Sequence, residues 1–233
     1  MHISAIVVAA GRGTRIGGGT PKAFVALGGT PMVVYGLRTL ARLPNLASLI
    51  LVVPAADRER AQEILEQYGP WPVAIRITPG GAERQDSVAA GLALVDGRAE
   101  LVLVHDAARP FISLTTATAC VAAAAAHGAA IVALPAHDTV KVAEDHRITH
   151  TLDRQRIWLA QTPQVFRTEL LREAYAKAQH DRVAATDDAA LVEHLGHTVH
   201  IVPGESTNRK ITTPEDLRWA EWHLTTHAAV APR

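Results

Sequence analysis

The stretch Val8-Ala9-Ala10-Gly11-Arg12-Gly13-Thr14-Arg15-Ile16-Gly17, followed at short range by Lys22, joins spaced glycines to fixed positive charge. Those types and that spacing suit a polyphosphate. Gly11 and Gly13 can take backbone dihedrals closed to residues with side chains, which lets several amide N–H groups converge on phosphate oxygens. Arg15 and Lys22 then add full cations. Two familiar phosphate loops fit poorly. A Walker loop places Lys-Ser or Lys-Thr directly after its last glycine, whereas this chain has Pro21-Lys22-Ala23 further on. A dinucleotide fingerprint needs a third glycine at a fixed place and an acid about 20 residues downstream; here Arg15-Ile16 intervenes before Gly17 and the acid is missing. The plain alternative is a tight strand-to-helix turn with no ligand, and the two cations beside it count against that.

A second cluster, Val104-His105-Asp106-Ala107-Ala108-Arg109-Pro110, sets a carboxylate near a guanidinium. Asp106 can accept hydrogen bonds from ligand hydroxyls or stand near a bound cation, and Arg109 can fork onto phosphate or carboxylate oxygens. A local Asp-Arg pair that only fixes the turn is the competing reading. The twelve histidines, especially His194, His197 and His200 near Glu193, invite a metal. No spacing matches a standard zinc pattern, so no protein-held metal is expected, and His197 and His200 read as a solvated strand edge after a helix stop at Gly196.

These groups need elements to aim them. Ile3, Ala5, Ile6, Val7 and Val8 form the short apolar run of a strand buried in a parallel sheet, so the glycine loop should leave its carboxyl end, where open α/β sheets bind ligands. Further strands are expected at Ser48 to Val53, Val73 to Thr78, Leu101 to His105 and Ala129 to Leu134. Helical patterns fall between them at Met32 to Leu43, Asp57 to Tyr68, Ser87 to Val95 and Leu114 to His127, with two more at Thr168 to Gln179 and Thr213 to Thr226. The last is announced by Thr213 as cap, Pro214 in the first turn and Asp216 as the capping carboxylate. Alternation of this kind is the signature of βαβ units. The cluster at residues 104–110 follows a strand, so it should face the same crevice as the glycine loop.

Residues 137–160 interrupt the alternation. Thr139 to Val142 and Ile148 to Leu152 alternate in polarity about the polar turn Ala143 to Arg147, which predicts a hairpin. A lone hairpin is marginal in water. It should therefore pack on something beyond its own domain, a second subunit being the economical candidate, or else fold down on its own sheet.

Composition excludes several classes. With 233 residues, 48% hydrophobic, and 23 basic against 23 acidic side chains, the chain can bury a large core in one α/β domain without disulfides. Zero formal net charge argues against a generic nucleic-acid or anionic-membrane binder. Cys120 is the sole cysteine, and the opening apolar run is too short and wrongly flanked for a signal peptide. The cytoplasm is the expected location.

Taken in order, Ala9-Ala10-Gly11-x-Gly13-x-Arg15, Pro21-Lys22, Gly80-Gly81 with Arg84 and Ser87, His105 to Pro110, Asp138-Thr139, Asp153-Arg154, Thr162-Pro163-Gln164, Thr186-Asp187 and Lys210 resemble the 2-C-methyl-D-erythritol 4-phosphate cytidylyltransferases. The resemblance runs from residue 3 to about residue 224. The first loop is shared with many sugar nucleotidyltransferases; His105 to Pro110 together with Thr162-Pro163-Gln164 narrows the choice to the cytidylyltransferase branch. It implies a single Rossmann-like nucleotidyltransferase domain over 1–233, with a mostly parallel sheet and a protruding β-hairpin arm at 137–160 that makes a homodimer. It also implies transfer of a cytidylyl group from CTP to 2-C-methyl-D-erythritol 4-phosphate with release of pyrophosphate, a step toward isoprenoid precursors outside the mevalonate route. A ribitol-5-phosphate cytidylyltransferase, and more distantly a nucleotide-binding protein without transferase activity, are the alternatives.

By that resemblance, Arg15 and Lys22 carry transition-state charge, with Mg2+ bridging the triphosphate oxygens. Ala9, Ala10, Gly11, Gly13, Gly81 and Ser87 hold the nucleotide, while Ala82 stands where relatives often have a polar residue. Asp106, Arg109, Thr139, Arg154, Thr162, Thr186 and Lys210 surround the polyol phosphate, Arg154 being lent across the dimer axis. The run Gly17-Gly18-Gly19 is expected to form a lid that orders with nucleotide.

Overall fold

A computed structural model describes residues 1–11 and 21–226. In chain order the elements are β1 (Ile3–Val8), β2 (Ala26–Leu27), β3 (Thr30–Pro31), α1 (Met32–Leu40), β4 (Leu46–Val53), α2 (Arg58–Tyr68), β5 (Ile75–Pro79), α3 (Arg84–Leu92), β6 (Leu101–Asp106) and α4 (Leu114–His127). There follow β7 (Ala129–Pro135), β8 (Lys141–Glu144), β9 (Arg147–Thr151), β10 (Trp158–Arg167), α5 (Thr168–Asp181), α6 (Asp188–His194), β11 (His200–Pro203) and α7 (Pro214–Thr226). Seven strands form the main sheet in the order β11-β7-β10-β6-β1-β4-β5. All neighbours run parallel except β10, which is antiparallel to both β6 and β7.

The strand period of two divides the core. Along β1, Ala5 and Val7 face a layer containing α1, α2 and α4, while Ile6 faces the layer of α3, α5 and α6. The alanines of α4 keep it near the sheet, with Cys120 and Ala124 fully buried. Gly91 does the same for α3, since a Cβ there would lie 2.7 Å from the Ile6 side chain. A third small cluster seats α7 on the β2–β3 turn through Leu27, Met32, Ile211 and Ala220.

Several expectations shift. Helix α3 begins at Arg84 rather than Ser87, because Glu83 and Asp86 close a reciprocal capping box over its first turn. Strand β10 was not anticipated: Pro163 and the polar Gln161, Thr162 and Gln164 hide it, and the register with β7 breaks between Ala160 and Gln164, where a proline without an N–H is tolerated. The hairpin is present as β8–β9, but its turn narrows to Asp145-His146, both at positive φ (48° and 63°), as in the mirror-image turns whose twist matches a hairpin. Residues 158–160, assigned above to the arm, instead pair with β7 in the main sheet. The expected strand edge near His197 is β11, which starts at His200; His200 stacks on His127 with ring centroids 3.8 Å apart.

Candidate active site

The carboxyl ends of β1, β4, β5 and β6 open into a cavity of about 500 Å³. Ala9, Ala10, Gly11 and Lys22 line one side, Gly80, Gly81, Ala82, Glu83, Arg84 and Ser87 the next, and Asp106 and Lys210 the far end. Gly13, Arg15 and the run Gly17-Gly18-Gly19 lie outside the described residues. Local chemistry builds the walls. The chain turns at Gly80-Gly81 hard against β1: a Cβ on Gly80 would sit 2.4 Å from the Ala10 methyl, and one on Gly81 2.3 Å from Asp86 Cβ. No side chain fits there. The Ser87 hydroxyl accepts from the Gly81 N–H (3.2 Å) and donates to the Glu83 carbonyl (3.1 Å), so it fixes the turn and keeps one lone pair for a ligand donor. Ala82 brings only a methyl to the lining.

Asp106 ends β6 and is nearly buried at 7% exposure. Its Oδ1 meets Arg84 Nε at 3.2 Å and its Oδ2 meets Lys210 Nζ at 2.7 Å. Burial alone would raise its pKa, but the Arg84 and Lys210 cations outweigh that and hold it well below the ordinary carboxylate range. Asp106 is therefore an ionised acceptor. Arg84 is itself shared: its Nη2 donates to Asp188 Oδ2 at 2.8 Å, and the Tyr175 hydroxyl donates to Asp188 Oδ1 at 2.5 Å. Burial works against the Arg84 charge, and the two carboxylates more than restore it, raising its pKa.

Arg109 does not pair with Asp106 in this arrangement. Its guanidinium donates to the carbonyls of Asn208 (2.8 Å) and Ala160 (3.4 Å), so the turn is closed by the backbone, the Arg109 N–H donating to the Asp106 carbonyl at 2.9 Å, and not by a side-chain ion pair. Arg109 Nε and Asn208 Oδ1 are buried without a protein partner among the described residues.

His105 is fully buried, and burial depresses its pKa to about 4, so the ring is neutral. The Arg109 carbonyl, 3.0 Å away, can only accept; Nε2 must carry the proton. Nδ1 then accepts from the Thr162 hydroxyl at 3.1 Å, leaving Thr162 Oγ1 to accept from the Asp106 N–H at 3.0 Å. The hydroxyl proton of Thr162 is thereby committed to His105. Thr162, Arg109, Thr139, Arg154 and Thr186 do not line the cavity. Thr139 and Arg154 are exposed around the hairpin, Arg154 Nη1 donating to the His137 carbonyl at 2.7 Å. Thr186 is exposed just before α6.

Two participants escaped sequence reasoning. Arg84 was visible only as part of a pattern, and Asp188 and Tyr175 gave no signal, because Asp188 lies 104 positions from its partner. The cavity suits a nucleotide carrying its own metal: its acids are Glu83 and a doubly paired Asp106, while its cations and amides match phosphate oxygens. Among the described residues no group of three or more His, Cys, Asp or Glu could hold a metal ion.

The family model for 2-C-methyl-D-erythritol 4-phosphate cytidylyltransferase matches residues 3–226. A relative of that name from Syntrophus aciditrophicus is 46% identical over 223 residues, covering 95% of each chain. Among solved structures, a 4-diphosphocytidyl-2C-methyl-D-erythritol synthase from Anaerococcus prevotii superposes with a TM-score of 0.85 at 34% identity, over 96% of this chain and 98% of that one. The Thermus thermophilus 2-C-methyl-D-erythritol 4-phosphate cytidylyltransferase gives 0.79 at 36% identity, over 97% and 100%. With matches of this extent on both sequence and fold, the chain belongs to the 2-C-methyl-D-erythritol 4-phosphate cytidylyltransferase family.

Proposed function

We propose that this enzyme transfers the cytidylyl group of CTP to 2-C-methyl-D-erythritol 4-phosphate, forming 4-diphosphocytidyl-2-C-methyl-D-erythritol and pyrophosphate. The observation that carries the reading is the crevice itself, where a glycine-built backbone wall faces Lys22, Arg84 and Lys210 at the carboxyl ends of four strands. A phosphate monoester is mostly dianionic near neutral pH, its second pKa being about 6, so the acceptor is a nucleophile without an activating base. One of its oxygens forms a bond to the α-phosphorus as the bond to the bridging β-phosphate oxygen breaks, and the electron pair leaves with pyrophosphate. The protein's task is alignment and charge stabilisation.

Ala9, Ala10, Gly11, Gly13, Gly81 and Ser87 hold the nucleotide, with a flat pyrimidine against the alanine wall. Lys22 and Arg15 stabilise charge developing on the phosphates. Mg2+ brought in with the triphosphate would lower the repulsion between its phosphates. Asp106 and Thr186 read acceptor hydroxyls, and Arg109, Arg154 and Lys210 hold its phosphate. Thr139 belongs to the same subsite. Thr162 acts by holding Asp106 and His105. The hairpin arm makes a homodimer, supported by its exposed apolar Ile148, at 65%. Cytoplasmic action fits water-soluble substrates of this kind, and no helix among the described residues is long and apolar enough to cross a membrane.

The test is pyrophosphate release from CTP with each alcohol phosphate. Rapid release with 2-C-methyl-D-erythritol 4-phosphate and slow release with ribitol 5-phosphate is expected. The reverse order would give the chain to the ribitol enzymes, and none with either would sink the transferase reading.

A further inference from the structure

Arg84 stands where the two proposed subsites meet. It is the first residue of α3, so it directly continues the Gly80-Gly81 turn on the nucleotide side, yet its Nε reaches Asp106 on the acceptor side at 3.2 Å. Its other edge is held from behind by Asp188, which has no exposed surface. Both Asp188 oxygens are used, one by Arg84 and one by Tyr175. Asp188 is delivered by β10: the Gln164 side-chain carbonyl accepts from the Asp188 and Ala189 N–H groups at 3.0 and 3.1 Å, and its amide donates to Asp187 at 2.7 Å. The sequence Thr162-Pro163-Gln164 thus supports Asp106 twice, through Thr162 at its backbone and through Gln164, Asp188 and Arg84 at its carboxylate.

The two cations on Asp106 differ in kind. Lys210 is a compact point charge at the end of a four-carbon stem, and its side chain is 40% exposed. Arg84 is a planar fork with one edge on each of two carboxylates, and its side chain is only 23% exposed. With Lys210 assigned to the acceptor phosphate, Arg84 is the cation left to keep Asp106 ionised and aimed.

We propose that Arg84 is a positioning residue for the transfer reaction, braced by the buried Asp188–Tyr175 pair, that fixes the Asp106 carboxylate as acceptor for the hydroxyls of the alcohol phosphate. The inference rests on the reading of the crevice given above and deepens it. A lysine at position 84 keeps the charge but cannot serve two carboxylates at once. Phenylalanine at position 175 removes one hydroxyl and loosens Asp188 without touching the cavity.

The experiment compares wild type, Arg84→Lys, Tyr175→Phe and the double variant, each assayed per folded molecule from its thermal transition. Arg84→Lys should raise KM for the alcohol phosphate roughly tenfold, and Tyr175→Phe roughly threefold, with KM for CTP changed less than about threefold in each. If Tyr175 acts through Arg84, the double variant should be no worse than Arg84→Lys alone, the non-additivity expected of coupled neighbours. Independent, additive effects would overturn the brace, and KM values unchanged in Arg84→Lys would overturn the positioning role. Wild-type activity separately tests the functional reading. Should wild type transfer nothing, calorimetric binding of CTP and of 2-C-methyl-D-erythritol 4-phosphate to the same four proteins still measures the coupling, with the same two outcomes against it.

Discussion

Single residues in this crevice divide into those that meet charge and those that hold them. Lys22 lines the cavity from the short 3-10 turn Lys22–Phe24, and a cation there is worth most when negative charge moves toward the leaving phosphates. Lys22→Ala should therefore lower kcat by roughly a hundredfold while shifting the thermal midpoint little, the pattern of an interaction made chiefly in the transition state. Unchanged kcat in steady-state assays would remove Lys22 from the chemistry. His105 is of the second kind. Its folded pKa near 4, against 6.5 for an ordinary histidine, makes the folded state reluctant to bind a proton that the unfolded chain accepts. The stability from this neutral ring is complete above pH 6.5 and is lost as pH falls through 4, about 2 kcal/mol of it by pH 5. Urea unfolding at pH 7.5 and 5.0 should show a smaller pH dependence in His105→Gln than in wild type, and identical slopes would count against the buried neutral ring.

At the scale of elements, the site depends on how helices begin. Asp216 Oδ2 accepts from Thr212 and Thr213 backbone N–H groups, both at 2.9 Å, and Thr213 Oγ1 accepts from the Asp216 N–H at 3.1 Å. Its Oδ1 meets Arg209 at 2.6 Å. This start of α7 closes the segment carrying Lys210, which is pinned on its other side by Ile211 N–H donating to the Ala108 carbonyl at 2.8 Å. Asp216→Ala should cost about 1–2 kcal/mol, the range for a lost cap, and raise KM for the acceptor because Lys210 loses its fixed approach. Calorimetric melting with steady-state kinetics checks both halves; a stability loss with unaltered KM would separate the cap from the site. The Gly80-Gly81 turn and the Glu83–Asp86 box at α3 serve the opposite wall in the same way.

The whole molecule raises the question of where Arg154 acts. Thr139 and Arg154 sit with the hairpin away from the cavity of their own chain, and the hairpin presents Ile148 at 65% exposure. If the arm crosses to a second copy, Arg154→Ala should weaken use of the alcohol phosphate while leaving CTP binding nearly intact. Mixing Arg154→Ala with Arg15→Ala chains is then decisive. A swapped arm restores one site with both residues intact in each heterodimer, so activity returns on subunit exchange. Persistent inactivity despite demonstrated heterodimers would place Arg154 within its own subunit.

Much of this was determined by the chain alone. Short apolar runs set β1, β4, β6 and β7 closely and a helical pattern set α4, because these elements are buried strongly enough for local pattern and tertiary need to agree. Gly11, Lys22 and Asp106 were singled out by residue type and place, Gly81 and Lys210 by the family resemblance, and all five line the cavity. Tertiary structure alone decided the rest. Strand β10 reads as a loop until β6 and β7 supply partners on both edges, since backbone pairing can override a weak local pattern. The partners of Asp106 lie 22 and 104 positions away from it, at Arg84 and Lys210; the first of these distances separates it from Arg84, and the second separates it from Lys210. No periodicity encodes such a pairing. An ion pair forms where folding brings charges together in low dielectric, and that place was fixed by the sheet order.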